Sequence, residues 1–325
     1  MIHLGDSRTN IPVVAGRWKA ILNDFMFERS NPYYFKMMEQ VSRVEKEEER
    51  KFIQEILEDY QLRFAHFVLA DNKEMISLIK EYNRKMHYAS ENIKTFMKEI
   101  FGRLYKNFTQ HKMSDGITIA HSFFRELNIR TCPYCNRQYT FTIDGETVRT
   151  APEYDHFYDK ASYPILSVSF YNLIPSCHTC NHIKGAKKTV RVNPYFRGFE
   201  SCFRLVDDNS KEMNRAEILK KGGGKLAFLK SDGTDSYFDQ GNIDTFGLQE
   251  LYSKHDDYVK DLLEKVAAYN STTQQALVDA FQSAAYSPQQ VFDFVWGKYL
   301  ELAQYENQPF SKLTKDILEQ LGIQR

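Results

Sequence analysis

The sequence predicts an α+β protein: a compact, cysteine-bearing segment set between two mostly α-helical regions. Three observations carry that expectation. Over the first part of the chain, apolar residues recur at three- and four-residue spacing, the period of a helix with one buried face. From about residue 129 to about 200 that period is lost, and cysteine, histidine, proline and asparagine concentrate. Beyond 200 a short β excursion gives way to helical spacing again. The expected organisation is therefore a helical region at 1–128, a small core at 129–200, and a hairpin plus helices at 201–325.

The elements follow in order. Phe52, Ile53, Ile56, Leu57, Tyr60, Phe64, Phe67 and Val68 make one apolar face. Ile93, Phe96, Met97, Ile100, Phe101, Leu104, Tyr105 and Phe108 make a second, with Ser90 placed to cap its helix. These stripes are packing surfaces rather than cofactor sites. The dense charges at 45–51 suit a solvated helix start. Residues 139–143 read as a strand ending in a turn at Asp144-Gly145. Residues 226–229 and 236–238 flank Ser231-Asp232-Gly233-Thr234 and read as a hairpin. The glycines at 222–224 lack the spaced pattern and following Lys-Ser/Thr of a phosphate loop, so they predict a turn. Leu248, Leu251, Leu262, Leu263 and Val266 have helical spacing. Ser287-Pro288 opens a helix through Val291, Phe292, Val295 and Tyr299. A last helix carries Leu313, Ile317, Leu318 and Leu321, with Gly322 as its stop.

Composition narrows the function classes. Of 325 residues, 42% are apolar and 26% charged, which is ordinary for a globular protein and unlike a disordered one. Basic and acidic side chains number 43 each, so the net charge is zero and a histone-like basic protein is excluded. Nucleic-acid affinity then requires a local patch or a partner. There is no apolar run of about 18 residues, and the first ten residues lack a basic stretch followed by an apolar one. A cytoplasmic location is the expectation. Five cysteines are too few for a disulfide scaffold in a chain this long.

Four of those cysteines form two pairs, Cys132-Pro-Tyr-Cys135 and Cys177-His-Thr-Cys180, with 41 residues between them. A CxxC turn aims two thiolates at one point, and two such turns complete a closed tetrahedral zinc site. Thiolates favour zinc over magnesium. Two separate redox motifs are the competing reading, but the βαβ surroundings of a redox CxxC are missing. With all four positions filled, such zinc is structural. Cys202 is left over and reads as a small buried hydrophobe.

The stretch enclosed by the pairs carries different chemistry. Tyr154-Asp155-His156-Phe157 places an acid next to a histidine. Then come Phe170-Tyr171-Asn172-Leu173-Ile174-Pro175 and, directly after the last cysteine, Asn181-His182-Ile183-Lys184-Gly185. Oxygen donors such as Asp155 and Asn181 suit Mg²⁺ or Mn²⁺. A neutral imidazole, with an ordinary pKa of about 6.5, can take a proton from water. Each piece is common alone; the ordered conjunction is rare.

That conjunction resembles the HNH nucleases, the ββα-metal family, in the branch braced by a four-cysteine zinc site. The likeness covers about residues 130 to 190 and not the helical flanks. It implies a zinc-braced ββα-metal core that hydrolyses DNA phosphodiester bonds. Asp155 would be a ligand of the catalytic Mg²⁺ or Mn²⁺, and His156 the general base. Asn172 would hold the loop that orients His156. Asn181 would be the second metal ligand, preferred over the neighbouring His182 because an amide oxygen suits a hard cation better. Cys132, Cys135, Cys177 and Cys180 would bind structural zinc. Many members carry a proline near the position of Asp159, and this chain does not.

Substrate contact has its own signal. Lys184, Lys187, Lys188, Arg191 and Arg197 follow the motif with no acid among them, a pattern suited to phosphate. A solvated basic face is the plainer alternative. Lys160 and His178 are weaker phosphate candidates. The partner expected from this reading is DNA, with RNA left open. A non-catalytic, zinc-braced nucleic-acid-binding or scaffold subunit is the competing function, and the joint presence of Asp155, His156, Asn172 and Asn181 argues against it. The motif is also similar to HNH subunits of phage-defence systems that act beside an ATPase. An ATPase partner docked by the helical flanks is therefore a third expectation, and the balanced charge suits it.

Overall fold

The computed structural model describes residues 1–7, 10–143, 151–186, 190–230, 236–269, 271–282 and 286–323. Its described elements are mostly helices, with two small antiparallel sheets, in agreement with the α+β expectation. The chain forms two compact units that interleave in sequence. One comprises Arg8–Ile129 and Thr140–Lys188; the other comprises Met1–Ser7, Arg130–Tyr139 and Thr189–Arg325.

The first of these begins with helices α1 (Ile11–Asn23), α2 (Tyr33–Ser42), α3 (Glu47–Leu62), α4 (Phe64–Leu69), α5 (Asn72–Met86), α6 (Glu91–Thr109) and α7 (Ile119–Leu127). Strands β1 (Glu153–His156) and β2 (Leu173–Ser176) and helix α8 (His178–Lys184) follow. Both apolar stripes read from the sequence form core: Ile53, Ile56, Leu57, Tyr60, Met97, Ile100, Phe101 and Leu104 are buried. Ser90 caps α6 by accepting from the Ile93 amide at 3.3 Å. The three glutamates in the first turn of α3 lie where the helix dipole favours negative charge.

These helices make a bed for β1. Trp18 of α1 is buried, and its indole N–H donates to the Val168 carbonyl at 2.9 Å. Its ring meets Phe108, Phe123 and Tyr154 edge-on, at 5.0, 4.8 and 6.0 Å. Tyr154 of β1 also stacks on Phe124 at 4.0 Å. Such pairs add to area burial, so β1 is fixed on this side by aromatic geometry. β1 runs antiparallel to β2, with Asp155 opposite Ile174 and His156 opposite Leu173.

The expected strand at 139–143 is not a strand. Tyr139 makes an isolated bridge to Thr131, and Tyr139, Phe141 and Ile143 stay largely exposed. The turn at Asp144-Gly145 lies outside the described residues.

In the other unit, β3 (Cys202–Val206) and β4 (Lys225–Leu229) are joined through α9 (Arg215–Lys221). Helices α10 (Tyr237–Phe246), α11 (Leu248–Ser253), α12 (Asp256–Ala268), α13 (Ser271–Gln282), α14 (Pro288–Trp296) and α15 (Ser311–Gln320) follow. The expected hairpin is corrected: β4 pairs antiparallel with β3, not with 236–238. Ser236 instead caps α10, accepting from the Asp239 amide at 3.4 Å. The intervening residues 231–235 lie outside the described set. Gly222 ends α9 in the left-handed region, the turn expected of the glycine run. Ser287 and Gln290 form a capping box on α14, which stops at Gly297, short of Tyr299. Leu313, Ile317, Leu318 and Leu321 are buried as expected, and Gly322 has φ 71°. No described helix is long and apolar enough to cross a membrane.

Arg63, between α3 and α4, ties α3 to α5. Its guanidinium holds Asp59 through both carboxylate oxygens and donates to Glu81 at 2.8 and 3.1 Å. Those hydrogen bonds hold the Asp59 and Glu81 carboxyls below the usual carboxylate range. Folded values below the unfolded ones mean stability that is present at neutral pH and lost as pH falls through the folded values. Arg63→Met is expected to cost about 1 kcal/mol at pH 7 in urea unfolding. The difference from wild type should shrink below about pH 4, as both carboxyls protonate.

Candidate functional site

The site is built where α8 lies on β1. Successive strand residues point to opposite faces, so Glu153 and Asp155 share one and Tyr154 and His156 the other. On a helix, residues three apart share a side, and α8 aligns His178, Asn181 and Lys184. The two rows meet. His178 Nδ1 lies 2.8 Å from Glu153 Oε1, and Asn181 Nδ2 donates to Glu153 Oε2 at 2.6 Å. Lys184 Nζ donates to Asp155 Oδ1 at 2.9 Å and to the His156 carbonyl at 2.6 Å. Lys184 and Asp155 side chains are 1% and 4% exposed, so this is a fully buried ion pair. Gly185, at φ 53°, stops the helix directly after Lys184 in a conformation that glycine adopts without strain.

Charge at the rim follows from these bonds. Partial burial pushes the Glu153 carboxyl up, but hydrogen bonds from Asn181 and His178 outweigh it and leave it below its ordinary value. The same contact with Glu153 raises the His178 imidazole.

His156 is buried, with its ring edge-on to Tyr105 at 4.6 Å. Its Nε2 lies 3.0 Å from the Ser167 carbonyl. A carbonyl only accepts, so Nε2 carries the ring proton and Nδ1 the lone pair. Burial, helped by the charges of Lys160 and Lys184, pushes the imidazole down to about 3 against the Ser167 hydrogen bond. The ring is therefore neutral at physiological pH, the form a proton acceptor needs.

Asn172 is fully buried and clamps the loop after His156. Its Oδ1 accepts from the Tyr158 amide at 2.7 Å; its Nδ2 donates to the Tyr158 and Leu166 carbonyls, both at 3.0 Å. Its backbone carbonyl accepts from the Phe157 amide at 2.8 Å. The side chain thus holds the segment leaving His156 against the turn that supplies the Ser167 carbonyl.

Cys132, Cys135, Cys177 and Cys180 are all buried, and their sulfur atoms lie within 4.8 Å of one another. Such a group of four thiols can hold a zinc ion. Cys177 also caps α8, its sulfur accepting from the Cys180 amide at 3.5 Å. After the first pair, Asn136 adopts the left-handed conformation at φ 46°. Its Nδ2 donates to Thr131 Oγ1 and to the Tyr305 and Gln308 carbonyls, at 3.2, 2.9 and 3.2 Å. Its Oδ1 accepts from the Lys312 amide at 3.2 Å. Cys202 lies on β3, and burial pushes its thiol up.

Asp155 and His156 lie on β1, Asn172 clamps the loop after His156, and Asn181 lies on α8, where it bonds Glu153. The basic face is a different matter. Lys184 is not on it; the aliphatic stem and ammonium are taken up by the interior, where Asp155 compensates the charge. Arg191 donates to the Tyr237 carbonyl at 2.9 Å and lies 4.1 Å over that ring. Arg197 pairs with Glu200 at 2.6 Å. Lys187 and Lys188 lie outside the described residues. His182 is exposed and stacks on His178, with ring centroids 5.8 Å apart. Lys160 stands 4.5 Å from the Tyr105 ring centroid. Sequence reasoning missed Glu153, Ser167 and Asn136. The repeated C-x-x-C-N was a visible signal for Asn136; nothing local marked the other two.

The fold and site define an α+β protein with a group of four buried cysteines that could hold a metal ion, and an acid–histidine strand. A stretch of the chain is similar to the Septu protein PtuB of Bacillus thuringiensis, 32% identical over 96 residues. That stretch is 26% of this chain and 35% of the relative, so the chain spans about a third of that protein's length. No protein-family model and no solved structure matches the chain.

Breaking a buried pair leaves an uncompensated charge, so Lys184→Met is expected to lower stability by about 3 kcal/mol in urea unfolding. Adding Asp155→Asn should recover part of that loss, because the stranded carboxylate is then gone. A Lys184→Met protein as stable as wild type would show that the pair does not hold α8 on β1.

Proposed function

We propose that the chain is a metal-dependent HNH endonuclease that hydrolyses DNA phosphodiester bonds and serves in phage defence beside an ATPase partner. The observation that carries the reading is the order β1–β2–α8, with Asp155-His156 closing β1, Asn172 clamping the loop behind His156, and Asn181 on the helix after the second cysteine pair. The likeness to the Septu protein PtuB supports the defence role, and the four-cysteine group supports zinc.

The donor set suits a hard cation. Asp155 offers carboxylate oxygen; Asn181 gives its amide N–H to Glu153, which turns the amide oxygen into its remaining ligand atom. Glu153 supplies a second carboxylate beside it. Asp155 and Asn181 would hold Mg²⁺ or Mn²⁺, which would neutralise the charge that develops on the phosphate. The remaining chemistry belongs to the chain. Ser167 fixes the His156 tautomer, so Nδ1 accepts the proton of the attacking water. An incoming anionic phosphate favours the imidazolium and raises its depressed pKa toward the working range. Asn172 keeps the ring from turning by holding both sides of its loop.

One observation favours the alternative, a non-catalytic zinc-braced binding or scaffold subunit: Lys184 already neutralises Asp155 inside the fold. Supercoiled-plasmid cleavage with added Mg²⁺ or Mn²⁺ separates the two. Wild type should nick or linearise DNA, and His156→Ala should be slower by about a hundredfold or more while keeping its zinc and its melting temperature. Equal cleavage by both proteins would remove His156 from the mechanism. Absence of cleavage by folded, zinc-loaded wild type, alone and with an ATPase partner, would leave the scaffold reading.

A further inference from the structure

The helical part of the Arg8–Ile129 unit contains a second feature unrelated to the strand site. α1 runs into a π-helical turn, Asp24–Glu28, which closes with Arg29 N–H donating to the Asp24 carbonyl at 3.2 Å. An inserted turn of this kind costs helix regularity and recurs at functional sites. Here it brings the chain out extended at Arg29, beside a cavity of about 410 Å³. Phe25, Arg29, Ser30, Asn31, Tyr33, Lys36, Asn107 and His111 line it, and no carboxylate does.

The polar groups are disposed for an anion. The Arg29 guanidinium lies 3.7 Å from the centroid of the Phe25 ring, and its Nε is buried without a hydrogen-bond partner. Neither Arg29 nor Lys36 is in an ion pair among the described residues. The charge of Asp24, the first residue of the π-turn, reaches Arg29. Asn107 donates to the Tyr33 hydroxyl at 3.2 Å and closes the cavity's inner wall. The contrast with a larger cavity of about 520 Å³ in the other unit is instructive. Its Lys221 and Lys225 both pair with Asp208 at 3.2 Å, so their charge is already spent within the protein.

We propose that the Arg29–Lys36–His111 cavity is a phosphate-binding site of mononucleotide size. Arg29 supplies a planar fork for two phosphate oxygens, Lys36 a point charge at the mouth, and Ser30 and Asn31 neutral donors at the rim. The volume exceeds what inorganic phosphate fills and lies in the range of small-molecule sites. The phosphate belongs either to a free nucleotide or to the end of a nucleic-acid strand. The site does not depend on the nuclease reading, since none of its residues belongs to the strand site.

The test is calorimetric titration of the full chain with AMP, inorganic phosphate and adenosine, without added divalent metal. AMP and phosphate should bind saturably at one site, and adenosine should not. Arg29→Met, which removes the guanidinium over Phe25 but keeps an apolar side chain of similar length, and Lys36→Gln, at an exposed position, should each weaken AMP by about tenfold. His156→Ala should bind AMP as wild type does, which separates this site from the strand site. Displacement of AMP by a 5′-phosphorylated oligonucleotide, but not by its 5′-hydroxyl form, assigns the phosphate to a strand end; no displacement by either assigns it to a free nucleotide. Lack of saturable binding, or equal affinity in wild type, Arg29→Met and Lys36→Gln, would overturn the proposal.

Discussion

A buried ammonium organises the candidate site. Lys184 reaches from the last turn of α8 into the interior, where the Asp155 carboxylate and the His156 carbonyl receive it. Burial of a lysine is unfavourable unless its charge is paired and its donors are used. The register of α8 on β1 is therefore constrained at one end. The Glu153 carboxylate, taken by His178 and Asn181, constrains the other. Between these two polar contacts the helix and the strand have little freedom to slide.

The opposite face of β1 is held differently. Tyr154 sits among Trp18 and Phe124, and His156 against Tyr105, so aromatic packing from the helical bed fixes that side. His156 is then subject to two demands. Burial keeps it neutral, and the Ser167 carbonyl selects which nitrogen keeps the proton. Asn172 supplies the third constraint, tying the loop after His156 to the turn before Ser167. The result is a histidine whose orientation, tautomer and charge state are all set by the fold.

What the sequence made legible was local. The stripes of α3 and α6 are visible because a helix repeats its buried face every turn, and Ser90 and Ser287 cap helices through bonds three residues away. The two cysteine pairs are legible for the same reason: each is a single turn. Strand partners are not local. Residues 225–229 pair with Cys202–Val206 across a helix, and no nearby pattern announces it. Lys184 looks the same in sequence whether it faces solvent or a buried acid, and only the meeting of α8 with β1 decides. Glu153 is an ordinary glutamate until the pleat places it on the face of Asp155. The acid–histidine motif was legible because of its ordered company, and so was Asn172 behind it; Ser167, which sets the tautomer, was not.

Manganese binding tests the central claim most directly. Zinc-loaded protein would be titrated with Mn²⁺ and the free ion followed by electron paramagnetic resonance, for wild type, Asp155→Asn and Asn181→Ala. The account predicts saturable binding of one ion by wild type and affinity about tenfold or more weaker in both variants, with zinc content unchanged. Equal Mn²⁺ affinity in all three proteins would contradict it, because Asp155 and Asn181 would then hold no metal and the ββα arrangement would be a structural brace alone.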